Sequence, residues 1–193
     1  MSVATQVTSH VSAEEIAAGL PHVAAAPQRQ GTLDLIVRRP VVDAREILDV
    51  GTLDLACGLV GDTWNQRPSS RSADGGPHPD MQLNVMSSRY IALITGGDDP
   101  ELWALAGDQL FVDLDLSHEA LPAGTRLAIG DVAVIEVTDQ PHTGCAKFSA
   151  RFGPAAHKAV WTDEGKALRL RGLNAKVVVP GDVRPGDAVR VLP

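Results

Sequence analysis

Cysteine is nearly absent: Cys57 and Cys145 are the only two in 193 residues. That is too few for a disulfide framework. No Cys-x-x-Cys and no His-Glu-x-x-His occurs, and His142, three residues before Cys145, has no second pair to complete a tetrahedral zinc site. Aromatic residues are only 4% of the chain, so a core must come mainly from Val, Leu, Ile and Ala. Positive charge is also short. The formal net charge is -7 and no run of five Lys or Arg exists, which argues against a general nucleic-acid binder. No apolar window approaches the ~20 residues that span a bilayer. The N-terminus lacks the basic start and apolar stretch of a signal peptide. The expectation is a cytoplasmic protein that contacts neither nucleic acid nor membrane. Gly-x-Gly-x-x-Gly, Gly-x-x-x-x-Gly-Lys-Ser/Thr and Gly-x-Ser-x-Gly are all missing, which removes the commonest nucleotide-binding and serine-hydrolase signatures.

What is present suits one globular domain: 44% hydrophobic and 21% charged residues. With 18 Gly and 13 Pro the chain turns often, which favours short strands over long helices. Residues 1–30 read as an N-terminal extension. In it Ser12-Ala-Glu-Glu15 has capping-box spacing and starts a short helix that Gly19 and Pro21 end. Gly31 opens the main domain, 31–193. Strands are expected over 33–38, 45–50, 82–86, 110–116, 165–173, 175–179 and 188–192. The clearest hairpin joins 126–129 to 132–138 through Gly130-Asp131. Short helices are expected over 88–94, 100–106 and 148–161. Residues 67–80, crowded with Pro, Gly and Ser, form a long loop, and Gly181-Asp182 a turn. Cys57, in an apolar run, reads as core. Strands do not alternate regularly with long helices, which argues against a parallel sheet. The expected fold is mainly β with short helices, a twisted or closed antiparallel β-barrel.

Chemistry concentrates at Thr138-Asp-Gln-Pro-His-Thr-Gly-Cys145-Ala-Lys147-Phe148. Gly144 lets backbone come close or take a positive φ beside the thiol. A helix starting just after Cys145, with Lys147 and His142 nearby, would favour the thiolate. A thiol nucleophile built with His142 or His157 and Asp139 stays open, as does a plain buried cysteine. Arg151 and Arg171 are candidates to face this loop and bind an anion, since guanidinium groups donate in a planar fork. Asn84 and Asp113 are candidates to line the same cleft.

Taken together, Gly58-Leu-Val-Gly-Asp-Thr-Trp64, Gln82-Leu-Asn84-Val85, Ala106-Gly-Asp-Gln-Leu-Phe-Val-Asp-Leu114, Leu121-Pro-Ala-Gly-Thr-Arg-Leu-Ala-Ile-Gly-Asp131 and the Cys145 loop resemble the MOSC family, named for the C-terminal domain of molybdenum-cofactor sulfurases. The likeness covers roughly 31–192 and implies a β-barrel-like fold of that type. It also implies a molybdenum-pterin cofactor, with Cys145 as metal ligand or sulfur carrier. The cofactor-binding set is then Lys147, Arg171, Arg151, His142, Asn84 and Asp113. Three functions follow from the resemblance. One is a reductase component that acts on a small N-hydroxylated substrate with electrons from a redox partner. A second is a carrier that takes a persulfide on Cys145 from a sulfurase partner. The third is an interaction domain that has lost the chemistry. Two departures from the family pattern point to a specialised subgroup or altered ligand use: His142-Thr-Gly144 stands where a basic residue and Pro usually precede the cysteine, which motivates the third function, and Asp113 stands where Asn is usual.

Overall fold

The computed structural model describes residues 6, 7 and 9–193. The chain begins with α1 (Ala13–Ala24) and continues through β1 (Gln30–Arg38), β2 (Glu46–Ile47), β3 (Gly51–Asp54), β4 (Gly58–Leu59) and β5 (Leu83–Ser87). Next come α2 (Ser88–Thr95), α3 (Pro100–Ala104), β6 (Leu110–Asp113), β7 (Arg126–Ile129) and β8 (Ala133–Val137). It ends with α4 (Ala146–Ala159), α5 (Asp163–Ala167), β9 (Leu173–Val179), β10 (Gly181–Val183) and β11 (Ala188–Val191).

Seven strands close into a barrel in the circuit β1-β11-β7-β8-β9-β5-β6 and back to β1. The expected β-barrel with short helices is what forms. One pair departs from the antiparallel expectation. β5 and β6 run parallel, because the chain between them crosses over through α2 and α3 and re-enters from the same end. β2 pairs only with the end of β1, and β10, β3 and β4 make a separate three-stranded sheet.

Alternation along the strands fills two cores. Val85, Leu110 and Val112 point into the barrel, while Met86 and Phe111 point outward under the helices. On β1 a bulge between Leu33 and Leu35 shifts the phase, so Leu33 and Ile36 face inward and Leu35 and Val37 outward. The outer core packs α1, α2 and α4 against the barrel through Ile16, Leu20, Tyr90, Ile94, Phe148 and Phe152. The Tyr90 hydroxyl is buried there and donates to Ala156 O at 3.1 Å.

Several local expectations are corrected. α1 has the expected capping box, with Glu15 N donating to Ser12 Oγ at 3.2 Å and Ser12 N to Glu15 Oε2 at 2.7 Å. It nevertheless runs through Pro21 to Ala24. Burial of Leu20 and Val23 outweighs the one backbone hydrogen bond that proline cannot make. Residues 45–50 form only the two-residue β2. Gly181-Asp182 is not a turn but the start of β10, paired with β3. Residues 165–173 are mostly not strand. Thr162 Oγ1 accepts from Gly165 N at 2.9 Å and caps the short α5, and the chain then turns through Arg169 at φ 48°. α4 bends at Gly153, φ 88°, just before Pro154. Cys57 is half-buried in the turn between β3 and β4, its Sγ 3.5 Å from Asp54 Oδ1, and does not belong to either core. Among the described residues no helix is long and apolar enough to cross a membrane.

Candidate functional site

At the end of the barrel where β5 and β6 begin, the segment Leu105–Gln109 has its backbone held by arginines from three directions. Arg151 donates to Leu105 O at 2.7 Å, Arg171 to Ala106 O at 3.3 Å and Arg39 to Gly107 O at 3.0 Å. Gly107 has φ +79°, and a Cβ there would lie 2.8 Å from the Arg45 guanidinium, so only glycine fits. Asp108, fully buried, accepts two hydrogen bonds from Arg171 at 2.7 and 2.9 Å and one from His142 Nε2 at 2.8 Å. An ionised carboxylate only accepts, so Nε2 carries the proton and Nδ1 of a neutral His142 stays free to accept. Gln109 accepts from Asn84 N at 2.8 Å and donates to Gln82 O at 3.0 Å.

The charges in this segment balance. Burial alone would raise the Asp108 carboxyl, but Arg171 and His142 overcome it and hold it below the usual carboxylate range. Burial and the Arg171 charge push His142 down and keep it neutral, although Asp108 pulls the other way. Arg171 also lies 4.9 Å from the Phe148 ring centroid, a cation–π contact. Arg39 is matched by the buried Asp62, which takes Arg39 Nε and the other guanidinium arm, both at 2.7 Å.

Beside this balanced layer the charge is not balanced. Arg45 is half-buried and its Nε has no partner. Among the described residues its side chain donates only to the neighbouring Ala44 O, at 2.6 Å. Burial first, then the positive charges of Arg151, Arg39 and Arg67, push Arg45 down to about 10. Arg67 donates only to Thr63 Oγ1, at 2.9 and 3.1 Å. A cavity of about 210 Å³ next to them is lined by Arg39, Arg67, Asn84, Trp64, His78 and Met81, among others. The 67–80 loop forms part of its wall and touches the Cys145 loop, where Arg71 donates to Pro141 O at 3.0 Å.

Cys145 is exposed and occupies the N-cap of α4, whose first turn is tied to the arginine layer. Lys147 Nζ reaches Asp43 Oδ1 at 2.6 Å and Arg151 reaches the same oxygen at 3.3 Å. Asp43 is two residues before Arg45, so the cysteine loop and the arginines share one edge. Gly144 is not in a positive-φ conformation. It serves close packing, since a Cβ there would lie 3.0 Å from Val160 and 3.1 Å from His157.

Of the residues picked from the sequence, Cys145, Lys147, Arg151, Arg171, His142 and Asn84 therefore come to this end. Asn84 Oδ1 accepts from Arg39 at 3.1 Å and its amide donates to Asn174 at 2.7 Å. Asp113 does not come to it. It sits at the far end of β6 and pairs with Arg89 at 2.6 Å. Arg39, Arg45, Arg67, Asp62 and Asp108 were missed. A Gly-Asp pair is by itself a turn signal, yet at 61–62 and 107–108 both aspartates are buried and anchor arginines. Arg38-Arg39 was the available signal, two adjacent cations at the end of a strand where one must face inward.

The MOSC domain model matches residues 102–190. Among solved structures, the YuaD protein of Bacillus subtilis has a TM-score of 0.58 at 17% identity, over 84% of this chain and 95% of that one. YiiM of Escherichia coli has a TM-score of 0.54 at 20% identity, over 85% of this chain and 70% of that one. These likenesses show a shared fold. No curated protein matches the chain.

Proposed function

We propose, from the premise that residues 102–190 form a MOSC domain, a family linked to the molybdenum cofactor, that this chain binds a molybdenum-pterin cofactor with Cys145 as the protein's ligand to the metal. One observation carries the reading: a half-buried, uncompensated cluster of Arg45, Arg67 and their neighbours stands on the same edge as an exposed thiol. Half-buried guanidinium groups that repel one another are costly unless an anion joins them. A phosphate-bearing pterin would supply that anion, with Arg67 at the cavity wall to donate to it and Arg45 adding its charge behind. The residues present thus fit the group.

Arg45, Arg67 and Arg151 would hold the anionic part, and Cys145 Sγ would face the metal. Among the described residues no three His, Cys, Asp or Glu side chains converge, so a metal at Cys145 brings its other ligands with it. When bound, the cofactor supplies redox chemistry. Asp108 orients His142 while burial and Arg171 keep it neutral, with Nδ1 available to take a proton three residues from the thiol. Two cysteines cannot hold an iron–sulfur cluster, so reduction of an N-hydroxylated substrate here would draw electrons from a partner protein.

Reconstitution tests this. The purified protein is incubated with the cofactor under reducing, anaerobic conditions and bound molybdenum is measured by elemental analysis. Stoichiometric metal is expected for the natural chain, little for Cys145→Ala, and about tenfold weaker retention for Arg45→Gln. Retention unchanged in Cys145→Ala refutes the metal-ligand role.

The exposure of Cys145, whose Sγ makes no hydrogen bond among the described residues, favours one second reading, that of a carrier which takes a persulfide from a sulfurase partner. Mass spectrometry after exposure to a sulfurase would show one added sulfur on Cys145. Absence of the adduct on so open a thiol removes this reading. Failure of both assays leaves the interaction-domain alternative.

A further inference from the structure

A second cavity, of about 470 Å³, shares no lining residue with the smaller one beside the arginines. One wall is the loop that leads into Cys145, from Thr138 to Gly144. Trp161 stands at it with nearly half its surface open to solvent. The volume suits a small organic molecule of one or two rings.

Its charges are lopsided. Lys166, Arg169 and Arg171 line it, with Asp139 the one carboxylate residue among the lining. Asp108 already neutralises Arg171, although the buried Arg171 Nε lacks a partner. Arg169 is different. It is half-buried and donates only to carbonyls, Leu116 O at 3.2 Å and Leu121 O at 2.6 Å. No carboxylate pairs with it among the described residues. Its backbone sits at φ 48°, a left-handed conformation unfavourable for a residue with a side chain. A strained backbone thus holds an uncompensated cation at the cavity wall, and burial pushes its guanidinium down. Lys166 is exposed and also has no ion pair among the described residues.

We propose that this cavity binds a flat organic anion, an arene carboxylate in its simplest form, with the ring against Trp161 and the anionic group between Arg169 and Lys166. An exposed indole gives the ring a broad apolar face. Two unpaired cations supply the charge that a neutral ring would leave unused. The bound molecule lies against the loop that carries Cys145. That it is the substrate rests on the cofactor reading; that it binds does not.

Benzoate and benzamide are the probes, used on the cofactor-free protein by calorimetry and tryptophan fluorescence. Trp64 and Trp103 are buried, at 9% and 8% exposure, so Trp161 dominates any quenching by a ligand. Benzoate is expected to bind saturably and to quench. Benzamide is expected to bind about tenfold more weakly, as loss of a charge-assisted contact implies. Trp161→Phe removes the quenching. Arg169→Gln and Lys166→Gln each weaken benzoate about tenfold. Lys166 is exposed, so its variant folds even if Arg169→Gln does not. Unsaturable benzoate binding, equal affinity for benzamide, an unchanged Lys166→Gln, or quenching that survives in Trp161→Phe overturns the proposal. Because no molybdenum is present, a failed reconstitution leaves these outcomes untouched.

Discussion

Asp108→Asn isolates a fully buried carboxylate that holds both an arginine and a histidine. Asp108 is fully buried and takes Arg171 through both oxygens, at 2.7 and 2.9 Å, and His142 at 2.8 Å. The amide keeps the shape and removes the charge. Arg171, whose side chain is 9% exposed, then has no counter-charge, only a neutral amide oxygen, Ala106 O at 3.3 Å, Met86 Sδ at 3.9 Å and the Phe148 face. Breaking one side of a buried pair costs about 3–5 kcal/mol, because the remaining charge is stranded. For a chain of this size that lowers the melting temperature by roughly 6–20 °C. Urea unfolding followed by tryptophan fluorescence, together with a thermal scan, measures it. The double variant Asp108→Asn with Arg171→Met removes the stranded cation and should recover much of the loss. A single variant within about 1 kcal/mol of the natural chain, or a double variant no better than the single, refutes the ion-pair argument.

Three further outcomes follow from the same geometry. Neutral His142 confers stability that is full above the ordinary histidine value of 6.5 and lost as pH falls toward its lowered folded value, so unfolding free energy should drop with acid over that range and drop less in His142→Gln. Gly172→Ala should lose about 2–4 kcal/mol in urea unfolding, since φ is +92° and a Cβ would overlap Val85 O. Iodoacetamide at neutral pH, read by peptide mapping, should label exposed Cys145 well before Cys57, whose thiol is pushed up by burial and by Asp54.

Much of the barrel was legible because short strands between Gly and Pro turns leave a two-residue period. The hairpin of β7 and β8 shows this well, with Leu127 and Ile135 directly paired in the barrel interior. The parallel β5–β6 pair was not legible, since both strands look alike from either direction and only the intervening crossover decides. Residues 165–173 misled for a related reason. Their mixture of Gly, Lys, Leu and Arg fits a strand edge, but Thr162 caps the backbone first and the close approach of Gly165 to Ala159 O fixes a helical turn. Pro21 was a stop signal overridden by burial of the turn beyond it.

The cysteine loop was found by composition, because a glycine and a thiol between a strand and a helix stand out in any chain. Its electrostatic setting was not. Arg39, Arg45 and Arg67 lie 106, 100 and 78 residues before Cys145, just past one expected strand, at the start of another and in a long loop. Leu105–Gln109 collects Arg39, Arg151 and Arg171 through its carbonyls and carboxylate, and the charges of Arg39 and Arg151 act on Arg45 beside them. A Gly-Asp dipeptide is a turn signal when its carboxylate points to water. When the barrel closes over it, the same carboxylate must find a cation, and the nearby arginines are drawn into one place. Arg171 and Arg39 satisfy that demand at Asp108 and Asp62. Arg45 is carried in with them and is left over. That surplus, more than the thiol alone, is what the proposed cofactor reading rests on.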